Sequence, residues 1–487
     1  MKMIWMKENA LASQLSRARA LAALSVLLVA LPSTAAANPF DVYGSGARSA
    51  AMAGAQVASA EGPAAVYDNV AELAFARPGI RLGAFATLGQ AQILLKERPA
   101  GYDVPDLDGN SPALPSDQTR RGRSDTMELA PLYGVVIGAV TDFGSERTRG
   151  GAVVMLPTNG LLSMQTHFAD ERERAFSNQL HFELIGERLR RPVIEAGIAR
   201  ELTDWLSFGV GGTYLPGARA TTEAYVRDPA DQSDVGLNAD IQTTNAWGLL
   251  AGATLTLPAD LRLGLVYRGQ VAFAIEGGNE VQVRGAGSGE DTRQVISWIP
   301  TSSPASLRLG LAWSPGDVVL TADARLTFWS SHLDTQGQDA GFTDTLEARL
   351  GAEWQSSADT RLRAGLGFVP SPVPAQTGRT NYVDNHRALA SIGAEHRFAL
   401  WKREVVAAWY VQAHHLLYRT TDKDALSSYP DCAPGETRLC DEVPDDTRDP
   451  RTGQPYAEAQ GLQTGNPGFP GFSSGGWLGA VGFELHY

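Results

Sequence analysis

The sequence predicts an all-β fold: a 14-stranded antiparallel transmembrane β-barrel with an N-terminal hatch inside its lumen. Three observations on this 487-residue chain carry that prediction. From Gly79 onward, short segments alternate apolar and polar residues with period two. The connections between them alternate strictly between short turns and long polar loops. The last segment is aromatic at both of its ends.

In that last segment, Gly475 to Tyr487, one face holds Trp477, Val481, Phe483, Leu485 and Tyr487, and the other holds Leu478, Ala480, Gly482, Glu484 and His486. Side chains of a strand alternate between its two sides, so one face is greasy and the other mixed and partly charged. Aromatics at both ends of the greasy face fit the two interfaces of a bilayer. Terminal Tyr487 is the expected contact for the machinery that assembles barrels.

Taken in order, the chain opens with Lys2, Lys7, Arg17 and Arg19, the apolar run Leu21 to Leu31, and the small residues Ala35-Ala36-Ala37. This is the pattern of an export signal, with residues 1–37 as the removed leader. Beyond it no run of about 18 apolar residues occurs, which excludes a helical membrane protein. The net charge of −13 becomes more negative without the leader and argues against nucleic acid as a partner. Cys432 and Cys440 are the only cysteines. In an exported chain such a close pair is expected to form one small loop disulfide. No His or further Cys accompanies them, so neither metal nor cofactor is expected.

Residues 38–78 are rich in Gly, Ala and Ser and alternate poorly. They read either as a flexible linker or as a compact hatch whose small side chains pack inside the barrel formed by residues 79–487. The short connections are Thr141–Gly150, Leu202–Asp204, Pro258–Asp260, Ser314–Gly316, Ser357–Asp359 and Leu400–Lys402. The long ones are Gln92–Asp125, Ala169–Arg190, Asp228–Asp240, Gly285–Ser303, Asp334–Phe342, Pro370–Asp384 and Thr421–Ser474. Loop lengths sorted in this way give an even strand number, with both termini on the short-turn side. Glycine, at 51 residues, is spread through the strands, where it marks bends and close backbone approach.

Individual strands place their charges on one face. Leu346, Ala348, Leu350, Ala352 and Trp354 oppose Glu347, Arg349 and Glu353. Leu362, Ala364, Leu366 and Phe368 oppose Arg361 and Arg363. A charge facing mid-bilayer lipid costs ~2–4 kcal/mol, so these charges face inward. Arg268, Arg325, Arg349 and Arg363 either receive a substrate carboxylate or pair with Asp323, Glu347 and Glu353.

Several stretches resemble the FadL/TodX family of outer-membrane transporters for long-chain fatty acids and other hydrophobic compounds. They are Glu201–Leu215, Leu257–Val271, Pro304–Ser331 and Gly365–Phe398. The last, with Ser371-Pro372-Val373-Pro374, Asn381-Tyr382-Val383-Asp384-Asn385 and Arg387, is the most specific. The resemblance implies a hatch, a hydrophobic small-molecule substrate, passive transport and a sideways exit through the wall. In the hatch, Asn69, Ala71 and Leu73 fit the family pattern, whereas Val70 and Glu72 stand where the family carries proline and glycine.

Pro157 either distorts the third strand, as a lateral exit requires, or marks that strand's loop-side end. Phe176, Leu180 and Leu184 recur at helical spacing among Arg172, Arg174, Arg188, Arg190 and Arg191. They form either a landing patch for an acyl chain or a helix packed on its own loops, its arginines meeting lipopolysaccharide phosphates in the outer-membrane lipid. Other classes of function remain: an adhesive barrel that binds partners through its loops, and a lipid hydrolase. Gly471-Phe472-Ser473-Ser474-Gly475 matches a nucleophile elbow in spelling, but it precedes a strand rather than a helix, which argues against an enzyme. Asp106–Asn110 lacks the glycine and glutamate positions of a calcium loop.

Overall fold

The computed structural model describes residues 39–96, 123–129, 131–159, 191–222, 226–228, 231–235, 238–281, 292–332, 339–375, 382–400, 403–422 and 471–487. All lie in one compact unit, Thr34–Tyr487. The predicted leader, Phe176, Leu180 and Leu184, the Cys432–Cys440 pair and the Asp106–Asn110 loop fall outside the described residues.

Fourteen antiparallel strands form the barrel: β1 (Gly79–Leu95), β2 (Tyr133–Thr141), β3 (Thr148–Pro157), β4 (Val193–Thr203), β5 (Leu206–Leu215), β6 (Ala246–Leu257), β7 (Leu261–Arg268), β8 (Ser306–Trp313), β9 (Val318–Thr327), β10 (Thr345–Ser357), β11 (Thr360–Val369), β12 (Arg387–Leu400), β13 (Arg403–Asp422) and β14 (Gly471–His486). Each pairs with its neighbours in sequence. Arg81–Leu95 of β1 lies against Phe472–His486 of β14. Gly79–Ala86 of the same strand lies against Tyr133–Val140 of β2, which closes the ring. A closed ring leaves no unpaired strand edge in lipid, where each unsatisfied backbone group costs several kcal/mol.

Alternation sorts the faces as the sequence predicts. In β10, Glu347, Arg349 and Glu353 are buried, while Leu346, Leu350 and Trp354 are exposed on the outer wall. Exposed aromatics ring both ends of that wall: Trp205, Trp354 and Tyr487 near the short turns, and Tyr133, Trp247 and Tyr418 near the long loops.

Two features differ from the sequence reading. The stretches around Asp228–Asp240 and Gly285–Ser303 are not plain loops. Ala218–Thr222, Asn238–Thr243, Val271–Val281 and Thr292–Ser303 form a separate four-stranded sheet that joins two long connections. Asn238–Thr243 is largely polar and carries no apolar alternation, because its pairing with the other connection, rather than burial of one face, makes it a strand.

The second feature is a break in the pairing of the second strand with β1. β1 pairs with β2 as far as Ala86–Tyr133, then with Arg123–Leu129 from Gly89 onward. Between these stretches sits Pro131, which has no N–H to give to the ladder. Two bonds between Thr87 and Leu132 bridge the interruption. On the other edge the Asn159 side chain accepts from Tyr133 N at 2.8 Å and donates to Pro131 O at 2.7 Å. Pro157 is the last residue of β3, opposite Gly134.

Candidate functional site

Residues 39–76 fold into α1 (Pro39–Tyr43), α2 (Ala47–Ala51), α3 (Ala65–Asp68) and short 3₁₀ turns at Gly62–Ala64 and Val70–Phe75, nearly all buried. Helices this short are not stable alone, so the barrel wall must hold them. It does so through two polar tiers and an apolar seam.

The tier nearer the short turns centres on Glu353. Arg48 Nε donates to its Oε2 at 2.8 Å and Arg363 Nε donates to the same oxygen at 2.6 Å. Arg363 Nη2 reaches Glu395 at 2.5 Å. Arg361 lies 3.5 Å from Glu61 of the hatch. Arg262 donates to Glu72 at 3.0 Å and lies over the Phe75 ring at 4.3 Å. Glu72 thus gives this hatch a buried tie to β7. A polar vestibule of about 510 Å³ opens below this tier.

The tier nearer the long loops centres on Tyr67. The Arg268 and Arg308 guanidinium groups lie over its ring, at 4.2 and 4.7 Å from the centroid. Its hydroxyl donates to Asp41 Oδ1 at 2.6 Å and accepts from Arg308 at 3.0 Å. Arg268 also donates to Glu195 at 2.6 Å. Arg325 lies 3.6 Å from Asp41 and 3.7 Å from Glu347. Arg349 donates to Glu347 and to Ala53 O, both at 2.9 Å.

Arg268, Arg325, Arg349 and Arg363 therefore each face a carboxylate of the chain itself. Asp323 faces none of them as an ion-pair partner: it accepts from Val57 N at 2.9 Å and so pins the middle of the hatch. Asn69 works likewise, donating to Val57 O at 2.7 Å and to Thr254 at 3.0 Å while accepting from Ala71 N. Arg308 and Glu195 were not singled out from the sequence. Each sits on the lumen-facing side of its strand's alternation, a signal that was present in the sequence.

The apolar seam runs over β2 to β6. Phe40, Val66, Tyr67, Val70 and Leu73 of the hatch share one buried cluster with Met155, Val193, Leu215 and Leu250 of the wall and with Val271 of the separate sheet. The wall is lined with glycine where the hatch touches it. Gly151 faces Leu73, Gly197 faces Val70, Gly264 and Gly310 face Val57, Gly365 faces Met52 and Ala53, and Gly393 faces Ala51. A Cβ at Gly197 would lie 2.5 Å from Val70, too close for any real pair of atoms.

The long-loop side of the hatch is thus amphipathic. Its flank over β3 to β6 is apolar, and its flank over β7 to β10 carries Arg268, Arg308, Arg325 and Arg349. Tyr67 stands at the boundary, beside a small cavity of about 20 Å³ lined in part by Asp41, Leu215, Arg268 and Val271. Above it, the Ser371–Pro374 and Asp384–Asn385 motif is drawn inward. Arg419 donates to the Val373, Pro374 and Asp384 carbonyls, and Asn385 donates to Leu417 O and Ser474 O. Ser473 of the elbow-like stretch pairs with Thr420, and His414 with Gln412.

Within the hatch, Asp68 accepts from Ser45 at 3.0 Å and Ser49 at 3.2 Å. Burial pushes its carboxyl up to about 6, against the opposing pull of Arg308 and the two serine hydroxyls. A carboxyl raised in the docked state binds its proton more tightly there than when undocked. Docking is therefore strongest below the ordinary value of 3.8 and weakens as pH rises through about 6. The expected loss at neutral pH is about 3 kcal/mol. Asp68→Asn should flatten the pH dependence of hatch protection from protease between about pH 4 and 6. An unchanged slope would show that Asp68 is not its source.

The fold and this filled lumen define a hatch-plugged outer-membrane β-barrel. Residues 188–424 match the family described as outer membrane protein transport protein (OMPP1/FadL/TodX). The match spans β4 to β13 and does not include the hatch. A FadL homologue from Pseudomonas aeruginosa has the same fold, with a TM-score of 0.58 at 15% identity over 94% of this chain and 98% of that one. The P. putida toluene transporter TodX superposes with a TM-score of 0.50 at 16% identity over 92% and 99%. No curated protein matches the chain in sequence.

Proposed function

We propose that this barrel passes hydrophobic compounds passively across the outer membrane, long-chain fatty acids foremost. The observation that carries this reading is the amphipathic long-loop side of the hatch, with an apolar flank for an alkyl chain and an arginine-rich flank for a carboxylate. The likeness to a protein named as a toluene transporter supports a hydrophobic cargo, and the unpartnered Nε donors of Arg308, Arg325 and Arg349 favour an acid over a neutral hydrocarbon.

In this route the substrate lands among the long loops, settles above the hatch and leaves sideways into the membrane. Water is a poor path for an alkyl chain, at ~0.8 kcal/mol for each exposed CH₂. The pairing break at Pro131 is the favoured place for the wall to part. Uptake of labelled oleate and of labelled toluene, by cells with and without the protein, tests the reading. Loss of oleate uptake on deletion supports it. Loss of toluene uptake alone shifts the cargo to hydrocarbons. No change in either, with the barrel correctly assembled, removes the reading.

A further inference from the structure

Asp41 is held as a bound carboxylate would be. Its Oδ1 accepts from Tyr67 at 2.6 Å and from Arg308 at 3.2 Å, with Arg325 at 3.6 Å. The arginine side chains are nearly buried, at 4% and 11% exposure, whereas that of Asp41 is 30% exposed. The Nε atoms of Arg308 and Arg325 are buried with no hydrogen-bond partner, so the two guanidinium groups offer more donors than Asp41 accepts. Leu215 and Val271, with Thr213, Arg268 and Ser306, line the small cavity beside Asp41. Gly44 and Gly46, at φ of 86° and 109°, form the turn that joins α1 to the rest of the hatch.

We infer that Asp41 is an internal competitor for the substrate carboxylate, occupying the Arg308–Arg325 site until an incoming acid replaces it, and that this exchange sets the preference for acids over neutral lipids. The inference rests on the proposed transport of hydrophobic acids. In the exchange the incoming carboxylate takes the guanidinium donors of Arg308 and Arg325. Asp41 turns toward solvent, and the Tyr67 hydroxyl is freed to donate to the ligand. No covalent bond changes. A neutral lipid has no group that competes for these donors, so Asp41 stays in place and only the apolar flank is used.

The experiment measures binding of dodecanoate and of dodecanol to the purified full chain in detergent. Folding of each variant is confirmed by its shifted band on an unboiled gel. Asp41→Asn should tighten dodecanoate binding about tenfold, equivalent to about 1.4 kcal/mol, and leave dodecanol unchanged. Arg308→Gln should weaken dodecanoate about tenfold and spare dodecanol. Asp41→Glu, which keeps the competitor, should stay near wild type. If Asp41→Asn binds dodecanoate no more tightly while dodecanol binds all forms alike, the competitor is refuted and the transport reading stands. If no form binds either compound saturably, both fall.

Discussion

Gly365→Val is expected to unseat the hatch and leave the barrel closed but leaky. At Gly365 a Cβ would overlap Ala53 N and the Met52 carbonyl carbon, backbone atoms that cannot turn aside. Overpacking a filled interior costs about 1–3 kcal/mol where side chains can adjust, and more where only backbone can move. The wall is the more rigid partner, because β11 is hydrogen-bonded to β10 and β12 along its length. The hatch therefore yields. Cells carrying the variant should become several-fold more sensitive to vancomycin, a solute too large for a plugged barrel. Folding would be checked by the unboiled-gel shift. Unchanged sensitivity with a folded variant would mean that the hatch tolerates the clash. The matching change at Gly479, on a strand of ordinary φ where the added atom meets nothing closer than 3.5 Å, is the control.

Arg363→Met should lower stability by about 3–5 kcal/mol. The Arg363 side chain is 1% exposed and lies between two glutamates, Glu353 at 2.6 Å and Glu395 at 2.5 Å. Its removal leaves Arg48 and Arg361 facing both carboxylates in a site with little water. The expected readout is a lower temperature for loss of the folded gel band. Arg363→Met with Glu395→Gln should recover part of the loss, because one of the stranded charges is then gone. Arg397 and Glu404 form an exposed pair at 3.1 Å, and breaking that pair should cost no more than about 1 kcal/mol. Equal effects at the two sites would refute the role assigned to Arg363.

Strand number and facing were legible because both leave local marks. Short turns such as Pro258-Ala259-Asp260 recur between alternating segments, and alternation needs only neighbouring residues. The partners inside the lumen leave no such mark. Arg48 meets Glu353 across 305 positions and Ala47 meets Glu484 across 437, and nothing in the local sequence specifies either pair. Glycine abundance was visible, but its arrangement as a seat for Val57, Val70 and Leu73 needs the closed ring. Pro131 was as visible as Pro157. Among the described residues, Arg123–Leu129 continues the ladder beyond Pro131, whereas β3 ends at Pro157.

The distance along the chain between hatch and anchors also governs assembly. The hatch is made before every strand, yet its polar ties lie on β6 to β14: Thr254 for Asn69, Arg262 for Glu72, Ser391 for Ala53 and Glu484 for Ala47. Contacts so remote in sequence form late, after loop-closure entropy has been overcome. The newborn barrel must therefore curl around a loose, uncommitted N-terminal tail and capture it only as β14 meets β1. Until that moment the lumen arginines and glutamates face one another across an open trough. Chain order thus makes the plug the first segment synthesised and the last to settle.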